Sequence, residues 1–433
     1  MDSQKENRVN SELGAPLARR EWLAKAGLLS LAAGTFKFGA RGASEVKGTG
    51  SKPSGGLAGL ASEFEVASTY LNSASIHPIT TKAAQAIATY QDGRLMNEGA
   101  SKSSTRADRQ KVFSLFGKMV NAEPEELSFV PSTLVGENTV CDGLGITGAG
   151  SRVVTDEYHF MGGMYRYMEL EKRGLDLEVV KAKDNRIRIE DLDKAITPET
   201  DLVAITLVSN VAGFQHDLKA VCEIAHSRGV PVYADLIQAA GVTPIDLKES
   251  GVDFAACSTY KWLMGDFGIG LMYAKRESQE LLTRTRFGYW QRAKWETNYS
   301  PFDEPNNIVP DSPFRPGLSG LMGVGTIASA GVAALSYSLE LLDRVGVAEI
   351  EKWRQPLLRR LHEALPSQGY LAMTPEDSKS SILSFARKDL AETNGAKLEA
   401  MGVKVSMHTH HVRISPSFFN DMDDIERLIE ALA

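Results

Sequence analysis

Residues Tyr233–Gly270 read YADLIQAAGVTPIDLKESGVDFAACSTYKWLMGDFGIG. The apolar run VPVYAD ends on Asp235, and a second run, FAACST, closes just before Lys261, 26 residues further on. Short apolar runs bounded by turn residues read as buried strands. In open α/β sheets the ligand lies beyond the carboxyl ends of the strands. An acid and a lysine that end neighbouring strands therefore mark a candidate site. The spacing alone describes equally an Asp capping the next helix and a Lys on the surface.

The same rhythm extends on both sides. SRVVT, LDLEVVKA, DLVAITLVSN and GIGLMYA read as strands, and MGGMYRYMELEKRG and HDLKAVCEIAHSRG as helices, the latter closed by Gly229. Strands alternating with helices predict an α/β fold with a mostly parallel sheet and helices on both faces. Residues 275–318 break this pattern, with five prolines and an aromatic-rich run around Tyr289, Trp290 and Trp295. Long irregular segments in compact domains are usually functional or interfacial, so a pocket wall and a dimer interface are both open readings. A long helical pattern follows, and ILSFAR, VRIS and DMDDIERLIEAL read as a closing α+β unit. The expected organisation is a large domain over residues 65–320, to whose small neighbour the first segment contributes, and a small domain over 321–433.

The wording around the acid and the lysine, YADLIQAAG and CSTYKWLMGDFGIG, resembles the pyridoxal-phosphate site of the class V aminotransferase superfamily, in its isopenicillin N epimerase-like and kynureninase-like branch. The resemblance covers about residues 65–433 and implies fold type I of the pyridoxal 5′-phosphate enzymes. By resemblance Lys261 is the Schiff-base lysine, Asp235 pairs with the pyridine nitrogen and Gln238 approaches the phenolic oxygen. The chemistry suits these types. A carboxylate on the ring nitrogen keeps it protonated and electron-accepting, and a lysine freed by substrate can shuttle the α-proton.

Other matches follow in family order. SFVPSTLVGENTV resembles the phosphate-binding turn, with Ser132 and Thr133 as hydroxyl donors at a helix amino terminus. Leu134 stands where the family has a Thr, so its contact would be through backbone alone. Ser258 and Tyr260 would complete the phosphate cup. DEYHF matches the segment whose ring stacks on the pyridine, through Tyr158 or the adjacent His159. Asn210 matches an Asn near the phenolic oxygen. HHVRISPSFFN resembles the substrate-carboxylate segment. Strand alternation puts Arg413 with His411 and Ser415, opposite Val412 and Ile414, and a guanidinium can hold a carboxylate with two bonds. The same alternation puts His408 and His410 on one face and His411 on the other, a poor arrangement for a metal. In FRPGLSG, Gly317 is followed by Leu318 and then Ser319, which departs from the family's cross-subunit phosphate contact; a homodimer is still expected.

The 433 residues carry 48 basic and 55 acidic side chains, a net charge of −7, which disfavours nucleic acid as a partner. There is no apolar run long enough for a conventional membrane span. Three cysteines, Cys141, Cys222 and Cys257, give neither a disulfide framework nor a metal spacing. No cysteine follows Cys257, which disfavours a desulfurase using a carboxyl-terminal cysteine as sulfur acceptor.

The amino end reads differently. Arg19-Arg20-Glu21-Trp22-Leu23-Ala24-Lys25, then AGLLSLAAGTF and the small residues Ala40, Gly42 and Ala43, resemble a twin-arginine export signal over residues 1–43. An amphipathic docked helix is the alternative. Residues 44–64 read as a flexible linker. The expectation is a periplasmic enzyme, exported by the twin-arginine machinery and acting at the α-carbon of an amino acid or amine through a Schiff base. Aminotransferase-type chemistry leads; epimerase, C–S or C–C lyase and a non-catalytic binding role are the alternatives. An exported family member of pyoverdine siderophore maturation offers a parallel, which implies an amine on a larger secreted metabolite.

Overall fold

In β5 (Leu202–Thr206) all five residues are buried, yet they face two different cores. Val203 and Ile205 point into one helical layer and Leu202 and Ala204 into the other. Period-two alternation in a strand with no wet face produces this division. The computed structural model describes residues 57–96, 100–294, 301–302 and 312–433, so the expected export signal at 1–43 and Trp295 lie outside the described residues.

Seven strands make the central sheet. They are β2 (Leu127–Val130), β3 (Arg152–Asp156), β4 (Asp176–Val180), β5, β6 (Val232–Asp235), β7 (Phe254–Ser258) and β8 (Gly270–Ala274), following the short β1 (Thr69–Tyr70). Their spatial order is β2-β8-β7-β6-β5-β3-β4. The pairs from β4 to β7 are parallel, while β8 runs antiparallel to both β7 and β2. A loop that carries Lys261 and Gly265 turns the chain straight back from β7 into β8, which makes β8 antiparallel. The fold is therefore α/β with a mostly parallel sheet, as the alternating pattern predicts.

A smaller sheet, order β12-β13-β10-β9, holds β9 (Leu371–Ala372), β10 (Leu383–Ala386), β12 (Ser406–Met407) and β13 (His411–Ile414). It has its own core, in which Val412 and Ile414 meet Leu357, Leu361, Leu428 and Leu432 from the helices Val347–Ser367 and Met422–Leu432. Leu71 from the amino-terminal segment joins that core, and β1 pairs in parallel with β11 (Val403–Lys404). The helix Ser329–Val345, by contrast, packs in the large core.

Two expectations need correction. The end of the 44–64 linker is ordered: Leu57–Glu63 forms a 3-10 helix, and the Leu57 N–H donates to the Phe418 carbonyl at 2.7 Å. Leu57, Leu60, Ala61 and Phe64 are apolar and dock on the large core, which a purely solvated linker would not do. His408–His410 are also not strand. They form the turn between β12 and β13, where the His408 N–H bonds the His411 carbonyl at 2.8 Å and the two rings stack at 4.1 Å. Strand alternation does not apply across a hairpin, so His408 and His411 share a side. Among the described residues no group of His, Cys, Asp or Glu is placed to hold a metal.

Candidate active site

Thr206, Asp235 and Ser258 are the last residues of β5, β6 and β7. Parallel pairing puts Thr206 opposite Asp235 in register. The loop after β2 leads into the helix Thr133–Gly143 at the same edge. Between them lies a cavity of about 200 Å³, lined by Ser132, Thr133, Leu134, Phe160, Thr206, Asn210, Asp235, Ile237, Gln238, Ser258, Tyr260 and Lys261.

The helix amino terminus is brought close by Gly136. A Cβ there would sit 2.6 Å from the Cβ of Ala256, so only glycine lets the helix lie against β7. Ser132 caps the helix, accepting the Val135 N–H at 3.3 Å. Ser258 and Thr133 lock the helix to the strand: the Ser258 N–H donates to Thr133 Oγ1 at 2.8 Å and the Thr133 N–H to Ser258 Oγ at 2.9 Å. The Leu134 N–H, which has no partner among the described residues, and the helix dipole then favour an anion at this end.

Asp235 is fully buried. Its Oδ1 accepts the Ile237 N–H at 2.9 Å, and among the described residues its Oδ2 has no hydrogen-bond partner. Burial pushes its pKa up to about 6, against the backbone bond to Ile237 and the nearby positive groups. Lys261 is 8% exposed and faces the same cavity. Burial pulls its amine down from 10.5 to about 8, with Asp235 opposing and Arg413 reinforcing the drop. Gln238 is fixed at both ends: Trp262 Nε1–H donates to its Oε1 at 3.0 Å, and its Nε2 donates to the Ala74 carbonyl at 3.1 Å. One N–H of that amide stays uncommitted.

Arg413 comes from the small sheet, on the face away from Val412 and Ile414, and bonds Asn210, a residue that lines the cavity. Its Nη1 donates to the Asn210 carbonyl at 3.0 Å and its Nη2 to Ser75 Oγ, while its Nε is buried with no partner among the described residues. Burial alone lowers its pKa, and among the described residues it has no carboxylate partner. A buried guanidinium lacking a counter-ion is a receptor for an anion.

Most of the residues singled out in the sequence meet here: Lys261, Asp235, Gln238, Ser258, Tyr260, Asn210, Ser132, Thr133 and Leu134 all line the cavity. Tyr158 does not. Its ring packs on Phe214 at 6.1 Å, and His159 is buried behind the cavity, against Glu137. Of the three consecutive residues 158–160, Phe160 is the one that lines the cavity. The turn explains the shift, because Asp156 Oδ1 takes the Tyr158 N–H at 2.8 Å and bends the chain before the helix starts at Met161. Ser319 donates to the Leu127 carbonyl within its own chain at 2.9 Å. Tyr289 and Trp290 stand outside the cavity, Trp290 under the Arg109 guanidinium at 3.9 Å.

Sequence reasoning missed Thr206, Phe160, Ile237 and the segment Asn72–His77. That segment touches Gln238 through Ala74, Arg413 through Ser75 and Tyr260 through the His77 N–H. Thr206 could have been found, as the one polar residue inside the apolar run LVAITLV. The crossing segment has no such signal, because two of its three contacts are made by backbone atoms.

Residues 96–428 match the family Aminotransferase class-V. The chain belongs to that family. A probable cysteine desulfurase of Methanothermobacter thermautotrophicus is 27% identical over 390 residues, covering 84% of this chain and 93% of the relative. An uncharacterized aminotransferase, YcbU, of Bacillus subtilis is 24% identical, covering 84% and 94%. Among solved structures, the cysteine desulfurase CsdA of Escherichia coli superposes with a TM-score of 0.73 at 21% identity, covering 85% of this chain and 95% of CsdA. A cystine C–S lyase, C-DES, gives 0.73 at 20% identity, covering 84% and 97%. These likenesses show the fold.

The cofactor of class V aminotransferases is pyridoxal 5′-phosphate, and the residues present fit it. Its ring N–H would give Asp235 Oδ2 the donor it lacks. The Thr133–Gly143 helix end, with Ser132, Thr133 and Ser258, suits the phosphate. The Lys261 amine is held partly neutral, as carbonyl attack requires.

Proposed function

We propose that this enzyme breaks a bond at the α-carbon of an amino acid, with Arg413 holding the substrate carboxylate and Lys261 Nζ moving the α-proton. Aminotransferase-type chemistry is the leading form. The observation that carries the reading is a buried guanidinium with no carboxylate partner among the described residues, bonded to the carbonyl of the cavity-lining Asn210, near a lowered-pKa amine that shares the cavity with the Asp235 carboxylate. When bound, the cofactor supplies the sink for the electron pair left at the α-carbon. Asp235 holds the proton on the ring nitrogen, and Arg413 orients the substrate so that its α-proton faces Lys261.

A second reading, C–S lysis, is favoured by the desulfurase relatives and the C–S lyase neighbour. All three cysteines of this chain are buried, with burial raising each thiol. A lyase of this construction would therefore release its sulfur to solution, as sulfide or a small persulfide, and not to a protein cysteine. Product analysis separates the two. One equivalent of oxo acid per enzyme, with turnover only when an oxo-acid acceptor is added, supports transamination. Catalytic release of pyruvate and reduced sulfur from cysteine or cystine without an acceptor supports lysis. Loss of α-deuterium with inverted configuration would support epimerisation.

The same proposal extends to the cell. Residues 1–43 act as a cleaved twin-arginine signal, the substrate amine belongs to a periplasmic or secreted metabolite such as a siderophore, and the enzyme works as a homodimer. Supporting the dimer, Met161, Tyr165 and Met168 expose one apolar stripe of the helix Met161–Glu171. Amino-terminal sequencing of the periplasmic fraction and light scattering test these points. A periplasmic chain that begins at Met1 would overturn cleavage, and a monomer at working concentration would overturn the dimer.

A further inference from the structure

Behind the cavity, on the far side of Thr206, lies a buried polar group that the reaction described above does not use. His159 Nε2 meets Glu137 Oε1 at 2.9 Å, and His159 Nδ1 meets Thr206 Oγ1 at 3.1 Å. Glu137 Oε1 also accepts from Tyr167 O–H at 2.7 Å. The imidazole and the carboxylate are 0% and 2% exposed. Gly163 is what admits them. A Cβ there would stand 2.6 Å from His159 Nε2 and 2.7 Å from Glu137 Oε2.

Counting donors and acceptors fixes the bonds to Glu137, and the charge on His159 sets the direction of the bond to Thr206. A carboxylate only accepts, so His159 Nε2 carries a hydrogen toward Glu137. The charged groups felt by His159 are Glu137, Asp156 and Asp235, all acidic, and together they outweigh burial and favour the imidazolium. Both ring nitrogens then donate, and Thr206 Oγ1 accepts from Nδ1. Thr206 Oγ1 also accepts the Phe160 backbone N–H at 2.9 Å. A hydroxyl has two lone pairs and one hydrogen. With both lone pairs engaged, the Thr206 hydrogen must go elsewhere, and Thr206 lines the cavity.

We propose that Thr206 binds the cofactor as a hydrogen-bond donor to one of its oxygen atoms, and that Glu137 and His159 are positioning residues that hold the Thr206 hydroxyl in the donating direction. The inference rests on the pyridoxal-phosphate reading of the site. A neutral His159 would reverse the arrangement, because its bare Nδ1 would take the Thr206 hydrogen for itself. Glu137→Gln produces that reversal while keeping size and an acceptor for Tyr167.

Cofactor affinity tests this. The dissociation constant of pyridoxal 5′-phosphate is measured by fluorescence titration of full-length apoprotein, with circular dichroism and melting to confirm folding. Thr206→Val should weaken binding about tenfold, the worth of one hydrogen bond to a charged acceptor. Thr206→Ser, which keeps the hydroxyl, should stay within about threefold. Glu137→Gln should weaken binding about as much as Thr206→Val, and the double variant no more than either alone, because both remove one bond. A folded Thr206→Val variant with wild-type affinity overturns the proposal, and so do additive losses in the double variant. Should Glu137→Gln not fold, the contrast between Val and Ser at 206 decides it alone. A wild type that takes up no cofactor would instead overturn the underlying reading.

Discussion

Capture of the cofactor by Lys261 should depend on pH in a way that the cavity sets. Only the neutral amine attacks a carbonyl. An ordinary lysine with a pKa of 10.5 is neutral at pH 7 in about one molecule in three thousand. With burial holding Lys261 near 8, the neutral fraction is about one in ten, a gain of about 300-fold. The assay is stopped-flow absorbance of apoprotein mixed with pyridoxal 5′-phosphate between pH 6 and 10, with a free lysine derivative measured alongside to remove the cofactor's own ionisation. The corrected rate should climb with pH and level off near 8. Two variants sharpen the test, because the charges near the amine act in opposite directions. Asp235→Asn removes a carboxylate that favours the ammonium, so the inflection should fall. Arg413→Met removes a repelling cation, so it should rise. A rate that keeps climbing to pH 10, or variants that shift the inflection the same way, would refute this account.

Gly136→Ala puts a methyl 2.6 Å from Ala256 Cβ, so we expect about 1–3 kcal/mol of lost stability in urea melts together with weaker phosphate and cofactor binding. Arg413→Lys keeps the charge but loses the fork, and should raise the amino-acid KM about tenfold or more while cofactor affinity stays within about twofold. His77 is buried between the Pro78 carbonyl and Ser417 Oγ, each at 2.7 Å, and burial lowers its pKa to about 4. The unfolded chain therefore binds the proton first, and stability should fall as the pH drops from about 6.5 through 4. The loss is about 3 kcal/mol, and a His77→Gln variant should lack that part of the pH dependence.

The parts of this fold that could be read in the sequence are those whose signal is local. VPVYAD and FAACST declare strands because every residue between their turns is apolar, and their buried alternation in the structure is the same fact seen in space. Asp235 and Lys261 could be read because a polar residue at a strand end has few other reasons to be there. The ring over the cavity could not be placed so well. Tyr158, His159 and Phe160 are consecutive, and the choice among them depends on an Asp156 side-chain bond that bends the turn by one residue. The His408–His411 stack was hidden for a related reason: a strand pattern and a two-strand hairpin share the same letters until pairing partners are known. The Glu137–His159 contact joins a helix to a turn 22 residues further on, and only the close packing allowed by Gly163 reveals it.

The charges of the site also explain why its parts come from three separate stretches of chain. Lys261 and Arg413 are both buried basic groups, and Asp235 is a buried acid whose second oxygen has no donor among the described residues. Each departs from its ordinary pKa in the direction of neutrality, which is the mark of desolvation without full compensation. Such a cluster costs stability unless something of opposite charge completes it. A phosphate at the Thr133–Gly143 helix end, a protonated ring nitrogen at Asp235 and a carboxylate at Arg413 would each supply one missing partner. The apoprotein should accordingly gain heat resistance on binding the cofactor, by the amount that mass action sets. The position of Arg413 makes the carboxylate the last of these to arrive. It sits on the small sheet, tied to Ser75 of the crossing segment and to Asn210 of the large domain. A ligand that neutralises Arg413 thus acts where both sheets and the amino-terminal segment meet, so substrate binding should protect Asn72–His77 from hydrogen exchange beyond the protection given by the cofactor. Equal exchange in the two states would show that Arg413 does not hold the substrate.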